Sequence, residues 1–234
     1  VAGLPLISVV LGRMGCADSV VTLLASDGET VESGREVARI LAPAPILLKA
    51  ERVIMNFICH LSGVAGTTRR FVQAVEGTGV RVLDTRKTTP GQRYLEKYAV
   101  RMGGGHNHRA NLEEMLMLKD NHIDQAGSIT EAVRRVRAAY AVCPPLEIEC
   151  RTLDDVREAV NLAPERIMLD NMPPATAIQA LALIPKHIES EISGNVTLQT
   201  IRTLAELGPT FISSGAITHS AAVADFSMRL TSTR

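Results

Sequence analysis

From about residue 80 onward, short apolar runs recur, most of them ending on a polar or small residue and followed by a stretch with helical spacing. The runs are VRVLD, YAVRMGG, MLMLKDNHI, PLEIEC, RIMLD, HIESEIS and TFISSG. Strands that alternate with helices are joined by crossovers, so the sheet they build is parallel and its connections are right-handed. The third run leaves two readings: NLEEMLML is helical throughout, or a strand begins only near Leu118. Ser128 with Glu131, and Thr152 with Asp155, have the spacing of helix capping boxes, and Gly208 is placed to end VTLQTIRTLAELG. Polar residues decide whether the sheet is open or closed. Asp84, Glu149, Asp170, Ser193 and Gly215 each fall at or just past the C-terminal end of a candidate strand. Functional groups collected from many strand ends describe the mouth of a β/α barrel, whereas an open sheet gathers them near one switch point. The expected fold is α/β, with a barrel as its main body.

Residues 1 to about 48 read differently. SVVTLLASDGETVESGREVARILAP sets β-branched residues between turn formers at Asp27-Gly28 and Ser33-Gly34, the pattern of short strands in an antiparallel or sandwich-like domain. From Leu48 the period becomes helical through Val53, Ile54, Phe57, Ile58 and Leu61, with a break expected near Ser62-Gly63. The expected division is a partial first domain over residues 1–50 and a barrel over residues 51–220. A tail over about 221–234 is free to pack back on the first domain. The chain opens at Val1 inside an apolar run, without an initiator Met, which reads as a start within a longer protein.

Charge narrows the class of partner. The 25 Lys and Arg balance the 25 Asp and Glu, so nothing global points to nucleic acid or a lipid surface. No apolar run reaches membrane-spanning length, and no basic-then-apolar leader is present. Four cysteines without a CxxC read as reduced, mostly buried thiols of a cytoplasmic protein. The local balance is different. Arg81 to His122 holds eight Lys or Arg against five Asp or Glu, with three of the six His. Such a surplus suits a compact anion.

Arg86 and Lys87 follow VRVLD directly and offer a planar fork beside a mobile point charge; the alternative is a solvated basic loop. GGGHNHR matches neither GxGxxG nor the GxxxxGK[ST] phosphate loop. Its glycines permit close backbone approach to a ligand, and Arg109 beside His106 and His108 favours an anion subsite over a divalent metal pair. Lys119 adds a further charge. Glu149 and Asp170 are acids at strand ends, suited to holding Mg²⁺ through water or to stabilising cationic charge, unless they merely cap the next helices. Ser193-Gly194 and Ser213–Ser220 place hydroxyls and backbone N–H groups where late barrel strands commonly seat phosphate.

Seven segments in order, ERVIMNFICHLSGVAG, DTRKTTPGQRYLEKYAVRMGGGHNHR, LMLKDNHI, LEIEC, IMLDNM, EISGN and ISSGAITHS, resemble the quinolinate phosphoribosyltransferases, the carboxylating nicotinate-nucleotide pyrophosphorylases. The resemblance implies an incomplete, roughly seven-stranded α/β barrel with an N-terminal α/β sandwich domain, truncated here at its N-terminus. It implies a pentosyltransferase of de novo NAD biosynthesis that uses Mg²⁺. Quinolinate and 5-phosphoribosyl 1-pyrophosphate would give nicotinate mononucleotide, pyrophosphate and CO₂. It also implies a homodimer or a dimer-based hexamer. Residue by residue, it assigns Arg86, His108, Arg109 and Lys119 to quinolinate, with Arg52 supplied by the partner subunit. Lys87 and Lys119 would face pyrophosphate or ribose, and Glu149 and Asp170 ribose hydroxyls and metal. Ser193, Gly194, Gly215 and His219 would lie around the 5′-phosphate. Three other readings stand beside it: a metal-dependent barrel hydrolase using His106, His108, His122 and Asp170, a nicotinate phosphoribosyltransferase, and a binding module on a barrel scaffold.

Overall fold

The computed structural model describes residues 1–231, so the last three residues of the expected tail lie outside the described chain. The chain divides into two units. The first comprises Val1–Arg70, Thr88–Gly105 and the stretch from Ile217 onward. It contains α1 (Leu6–Arg13), β1 (Val20–Leu23), β2 (Ala38–Leu41), α3 (Arg93–Met102) and most of α2 (Ala44–Ala74). β1 and β2 pair antiparallel, with Val20 opposite Leu41. Residues 24–37 form a connection, not the extra strands expected between Asp27-Gly28 and Ser33-Gly34. The Asp27 carboxylate is engaged elsewhere, accepting from the N–H groups of Gly3 and Leu4 and from the Tyr98 hydroxyl. Leu4, Ile7, Leu11, Ala50, Ile54 and Ile58 make the core of this unit, and Phe226 and Met228 pack against it.

No break occurs at Ser62-Gly63. α2 runs on because both residues serve packing. Ser62 Oγ accepts from the Ala2 N–H and donates to the Ala2 carbonyl, and a Cβ on Gly63 would collide with the Ala222 carbonyl. No domain boundary falls at residue 50 either, since Ala50 is fully buried in the first unit's core. The YAVRMGG run, expected as a strand, is the end of α3. Its inward residues Glu96, Lys97, Ala99 and Val100 follow helical spacing, not alternation. Gly103 and Gly105 follow because a Cβ at either would strike Thr68 of α2.

The second unit, Phe71–Lys87 with His106–Ala216, holds the six remaining runs as one parallel sheet. In chain order its elements are β3 (Arg81–Leu83), β4 (Leu116–Leu118), α4 (Asp120–Ala126), α5 (Ile129–Ala138), β5 (Leu146–Cys150), α6 (Leu153–Asn161), β6 (Arg166–Asp170), α7 (Pro174–Leu183), β7 (Glu189–Ser193), α8 (Ile201–Ala205) and β8 (Phe211–Ser213). The NLEEMLML ambiguity resolves as a strand starting at Leu116. Asn111 Oδ1 holds a turn before it by accepting from the N–H groups of Glu113 and Glu114.

The strand order is β3-β8-β7-β6-β5-β4, so the first strand of the sheet lies against the last. The far edge of β3 carries one more parallel bridge, Leu83 to His106. Among the described residues the sheet therefore has six full strands and a one-residue seventh position, with no β3–β4 pairing to close it. This is the incomplete barrel, one full strand short of the expected seven. Outward residues Leu146, Ile148, Ile167, Leu169 and Ile212 are fully buried. The inward face of β5–β7 is charged: Glu147 lies opposite Arg166 and Arg166 opposite Glu189. Phe211 lies between the guanidinium groups of Arg81 and Arg166, 4.1 and 4.2 Å from its ring centre.

Candidate active site

At the C-terminal end of β3, Asp84 is fully buried and pins the GGGHNHR segment. Its Oδ1 accepts from the His108 N–H at 2.8 Å and its Oδ2 from the Asn107 amide at 2.6 Å. The Asp84 N–H in turn donates to the His106 carbonyl, and the His106 N–H to the Val82 carbonyl. Asp84 thus positions His108 and Arg109 through their backbone. Arg86 is half-buried just beyond it, and Lys87 is exposed.

Arg109 is 8 % exposed, and its Nη1 donates to the Met115 carbonyl at 2.8 Å. Burial lowers its pKa, and the like charge of Arg86 lowers it further against a smaller opposing pull from Glu147. A buried guanidinium whose charge is opposed by the neighbouring Arg86 is a group that an anion relieves.

His108 is buried beside Arg109. Its Nδ1 accepts from the Arg109 N–H at 2.8 Å, which leaves the ring proton on Nε2. Nε2 lies 3.0 Å from Glu147 Oε2 and 3.6 Å from Glu191 Oε2. Both glutamates are fully buried, and burial pushes each carboxyl up to about 7. Arg166 offsets part of this, with its Nη1 donating to Glu191 at 3.2 Å. Neither oxygen of Glu147 makes a hydrogen bond among the described residues, and burial favours the protonated form of this carboxyl.

Among the described residues, His108, Glu147 and Glu191 form the one group of three that could surround a metal ion. The tautomer argues against a metal there. Coordination through Nε2 would move the ring proton to Nδ1, where the Arg109 N–H already points. Nor are the hydrolase ligands brought together. His106 and His122 are exposed, and His122 Nδ1 accepts from the Lys119 N–H.

Lys119 Nζ donates to Glu149 Oε2 at 2.6 Å, joining the ends of β4 and β5. Asp170 is the last residue of β6 and lies opposite Ser193 in the sheet register. Neither acid caps a helix: Thr152 caps α6 in a reciprocal box with Asp155, and Pro173 precedes α7. Ser193 Oγ accepts from Ser213 Oγ at 2.9 Å, and Ser214 Oγ donates to the Val196 carbonyl. Gly194 has φ 97°, and Gly215 lies just beyond β8. The second unit thus gathers Arg86, Lys87, His108, Arg109, Lys119, Glu149, Asp170, Ser193, Gly194 and Gly215 at strand ends. Arg52 and His219 belong to the first unit, both exposed, with His219 Nδ1 hydrogen-bonded to Ser220 Oγ.

The roles of Asp84 as a backbone anchor and of the Glu147–Glu191 pair were not apparent in the sequence. One signal was present. ESEIS repeats the alternation of LEIEC, placing Glu191 on the same face as Ser193, as Glu147 is with Glu149.

A parallel α/β barrel with a buried guanidinium, strand-end acids and a Ser/Gly turn is the set of groups required by an enzyme class that handles carboxylate and phosphate together. Comparison with known proteins gives the family. The model of the quinolinate phosphoribosyl transferase N-terminal domain matches residues 1–62, and that of the C-terminal domain matches residues 64–229. A probable carboxylating nicotinate-nucleotide pyrophosphorylase of Bacillus subtilis is 43 % identical over 205 residues, which cover 88 % of this chain and 71 % of that protein. The carboxylating enzyme of Mycobacterium leprae is 38 % identical over 234 residues, covering 98 % and 82 %. Among solved structures, NadC from Streptococcus pyogenes superimposes with a TM-score of 0.92 at 41 % identity, over 97 % of this chain and 80 % of that one. The chain belongs to the quinolinate phosphoribosyltransferase family.

Proposed function

We infer that this protein transfers the phosphoribosyl group of 5-phosphoribosyl 1-pyrophosphate to the ring nitrogen of quinolinate, releasing pyrophosphate and CO₂ and forming nicotinate mononucleotide. The observation that carries the reading is the buried Arg109 charge set against Arg86 at the barrel mouth. Two adjacent carboxylates on a small planar ring are the complement of such a pair, and the names of the relatives specify that substrate.

The chemistry follows from the strand ends. As pyrophosphate leaves ribose C1, positive charge develops there. Glu149 and Asp170 supply fixed negative charge to stabilise it without bonding to carbon. The Arg86–Arg109 side holds the pyridine ring by its carboxylates, which turns attack by the ring nitrogen into a step within one complex. The positive charge of the quaternised nitrogen then stabilises the electron pair left on C2 as the C2–carboxylate bond breaks, and a proton adds to that pair in place of CO₂.

Glu149 and Asp170 also fit Mg²⁺. They are hard oxygen donors on neighbouring strands, neither spent on a helix cap, in the pattern of a cation held by a few carboxylates and substrate oxygens. When bound, the ion would neutralise charge on the departing pyrophosphate. Lys119 would move between Glu149 and the pyrophosphate, and Ser193, Gly194 and Gly215 would take the 5′-phosphate. We further propose a homodimer in which each site receives the partner subunit's Arg52, and a cytoplasmic location. No helix of the described chain is long and apolar enough to cross a membrane.

The strand-end acids test this reading. The wild-type protein should release CO₂ and pyrophosphate one for one from quinolinate. Glu149→Gln and Asp170→Asn should each lower kcat by about 100-fold while quinolinate KM changes little. Amide variants with wild-type kcat at saturating Mg²⁺ would remove both acids from the chemistry.

A further inference from the structure

Immediately after Asp170, Asn171 takes a left-handed backbone, φ 52°, which Asn tolerates better than other residues with a side chain. Two of its polar groups reach the end of the neighbouring strand β7, and a third holds the carboxylate beside it. Its N–H donates to the Ser193 carbonyl at 2.9 Å. Its side-chain Nδ2 donates to Asp170 Oδ2 at 2.9 Å, and its Oδ1 accepts from Asn195 Nδ2 at 2.9 Å. Asn195 is itself left-handed, at φ 50°. Between Ser193 and Asn195, Gly194 leaves no room for a Cβ, because the Asn171 amide occupies that space.

We propose that Asn171 is a positioning residue for the phosphoribosyl donor, locking the Asp170 carboxylate and the Ser193-Gly194-Asn195 turn into one geometry. The proposal rests on the reading of Asp170 and Ser193–Gly194 as the donor's ribose and phosphate contacts. A short carboxylate at a strand end has rotamers to lose when it engages a ribose or a hydrated cation. A hydrogen bond from the next residue removes that freedom in advance. The same amide, through Asn195, fixes the turn whose N–H groups would face the 5′-phosphate. Ribose and phosphate belong to one molecule, so the spacing between their two subsites must hold to a fraction of an ångström. Quinolinate is held by other elements, the 84–86 and 108–109 segments, and should not feel the change.

The competing view is that Asn171 is present only because its backbone is left-handed. Asn171→Gly separates the two, since it accepts the backbone and deletes the amide. Asn171→Asp keeps the shape and the oxygen that accepts from Asn195. It exchanges the donor facing Asp170 for a repelling carboxylate.

The experiment measures KM for both substrates, kcat and Tm for wild type and both variants. It adds calorimetric affinity for ribose 5-phosphate with Mg²⁺, a readout independent of turnover. Asn171→Gly is expected to raise KM for 5-phosphoribosyl 1-pyrophosphate and weaken ribose 5-phosphate binding, each by about tenfold. Quinolinate KM should stay within about twofold and Tm within a few degrees. Asn171→Asp should weaken ribose 5-phosphate at least as much. In a cycle with Asn195→Gly, the double variant should be scarcely worse than Asn171→Gly alone. Unchanged donor KM and affinity in Asn171→Gly would overturn the proposal, as would an equal rise in both KM values. A wild type that neither binds ribose 5-phosphate nor turns over would instead overturn the reading of the site itself.

Discussion

Glu191 shows how burial, more than sequence position, sets the behaviour of a single carboxyl. Desolvation first, and the neighbouring Glu147 charge second, raise its pKa from an ordinary 4.5 to about 7. A raised carboxyl pKa means that the native state holds its proton more tightly than the unfolded chain does. That contribution to stability is complete below about pH 4.5 and is lost as pH rises to about 7. Glu191→Gln cannot ionise and keeps an oxygen for Arg166. The variant's Tm relative to wild type should therefore climb between pH 4.5 and 7, by a few degrees, and then level off. Thermal unfolding across that range checks it, and a flat difference would show that the buried pair does not titrate there. In LEIEC, alternation puts Glu147 and Glu149 on one face of the strand. Arg166 and Glu191, which fix what burial does to Glu147, come from other strands, and strand register across a parallel sheet cannot be read along one chain.

At the scale of elements, strands were legible where alternation or a strand-end polar residue was clear, as in LEIEC, RIMLD and ESEIS. They failed where a helix imitated one. YAVRMGG is apolar and short, but it is the last turns of α3, and its glycines serve contact with α2. Gly63 misled in the same way. Read locally, Ser62-Gly63 is a break, whereas the long helix needs a missing side chain so that the 222–223 segment can pass. Gly66, one turn further on, has open space where a methyl group would point, and it offers the control. Gly63→Ala should cost about 1–3 kcal/mol through overpacking, read as several degrees of Tm. Gly66→Ala should be neutral or stabilising, as expected for Ala over Gly in an open helical position. Equal effects at the two positions would mean that the 222–223 segment does not lie on α2.

For the whole molecule, the barrel and its mouth were readable because chemistry is confined to strand ends. The division of the chain was less so. α2 carries the first unit's core through Ala50 and on to Arg70, and the 88–105 segment returns to that unit, so no single cut separates the parts. The proposed dimer with shared sites predicts complementation. Arg52→Ala and Arg109→Ala proteins, each nearly inactive, should regain activity after mixing and subunit exchange. One site of each mixed dimer then carries both lesions and the other none, so recovery should approach about a quarter of wild-type site activity. Verified exchange without recovery would place Arg52 in its own subunit's site or exclude independent sites. Everything proposed for the site depends on the Arg86–Arg109 side of the mouth being built for two carboxylates. The sharpest check is kcat/KM for quinolinate and for nicotinate, side by side, with 5-phosphoribosyl 1-pyrophosphate and Mg²⁺. Removing one carboxylate leaves a buried cation without its partner, so quinolinate should be preferred by at least about 1,000-fold, with CO₂ released at each turnover. Comparable turnover of nicotinate, or turnover of quinolinate without CO₂, would show that the mouth is not a dicarboxylate site.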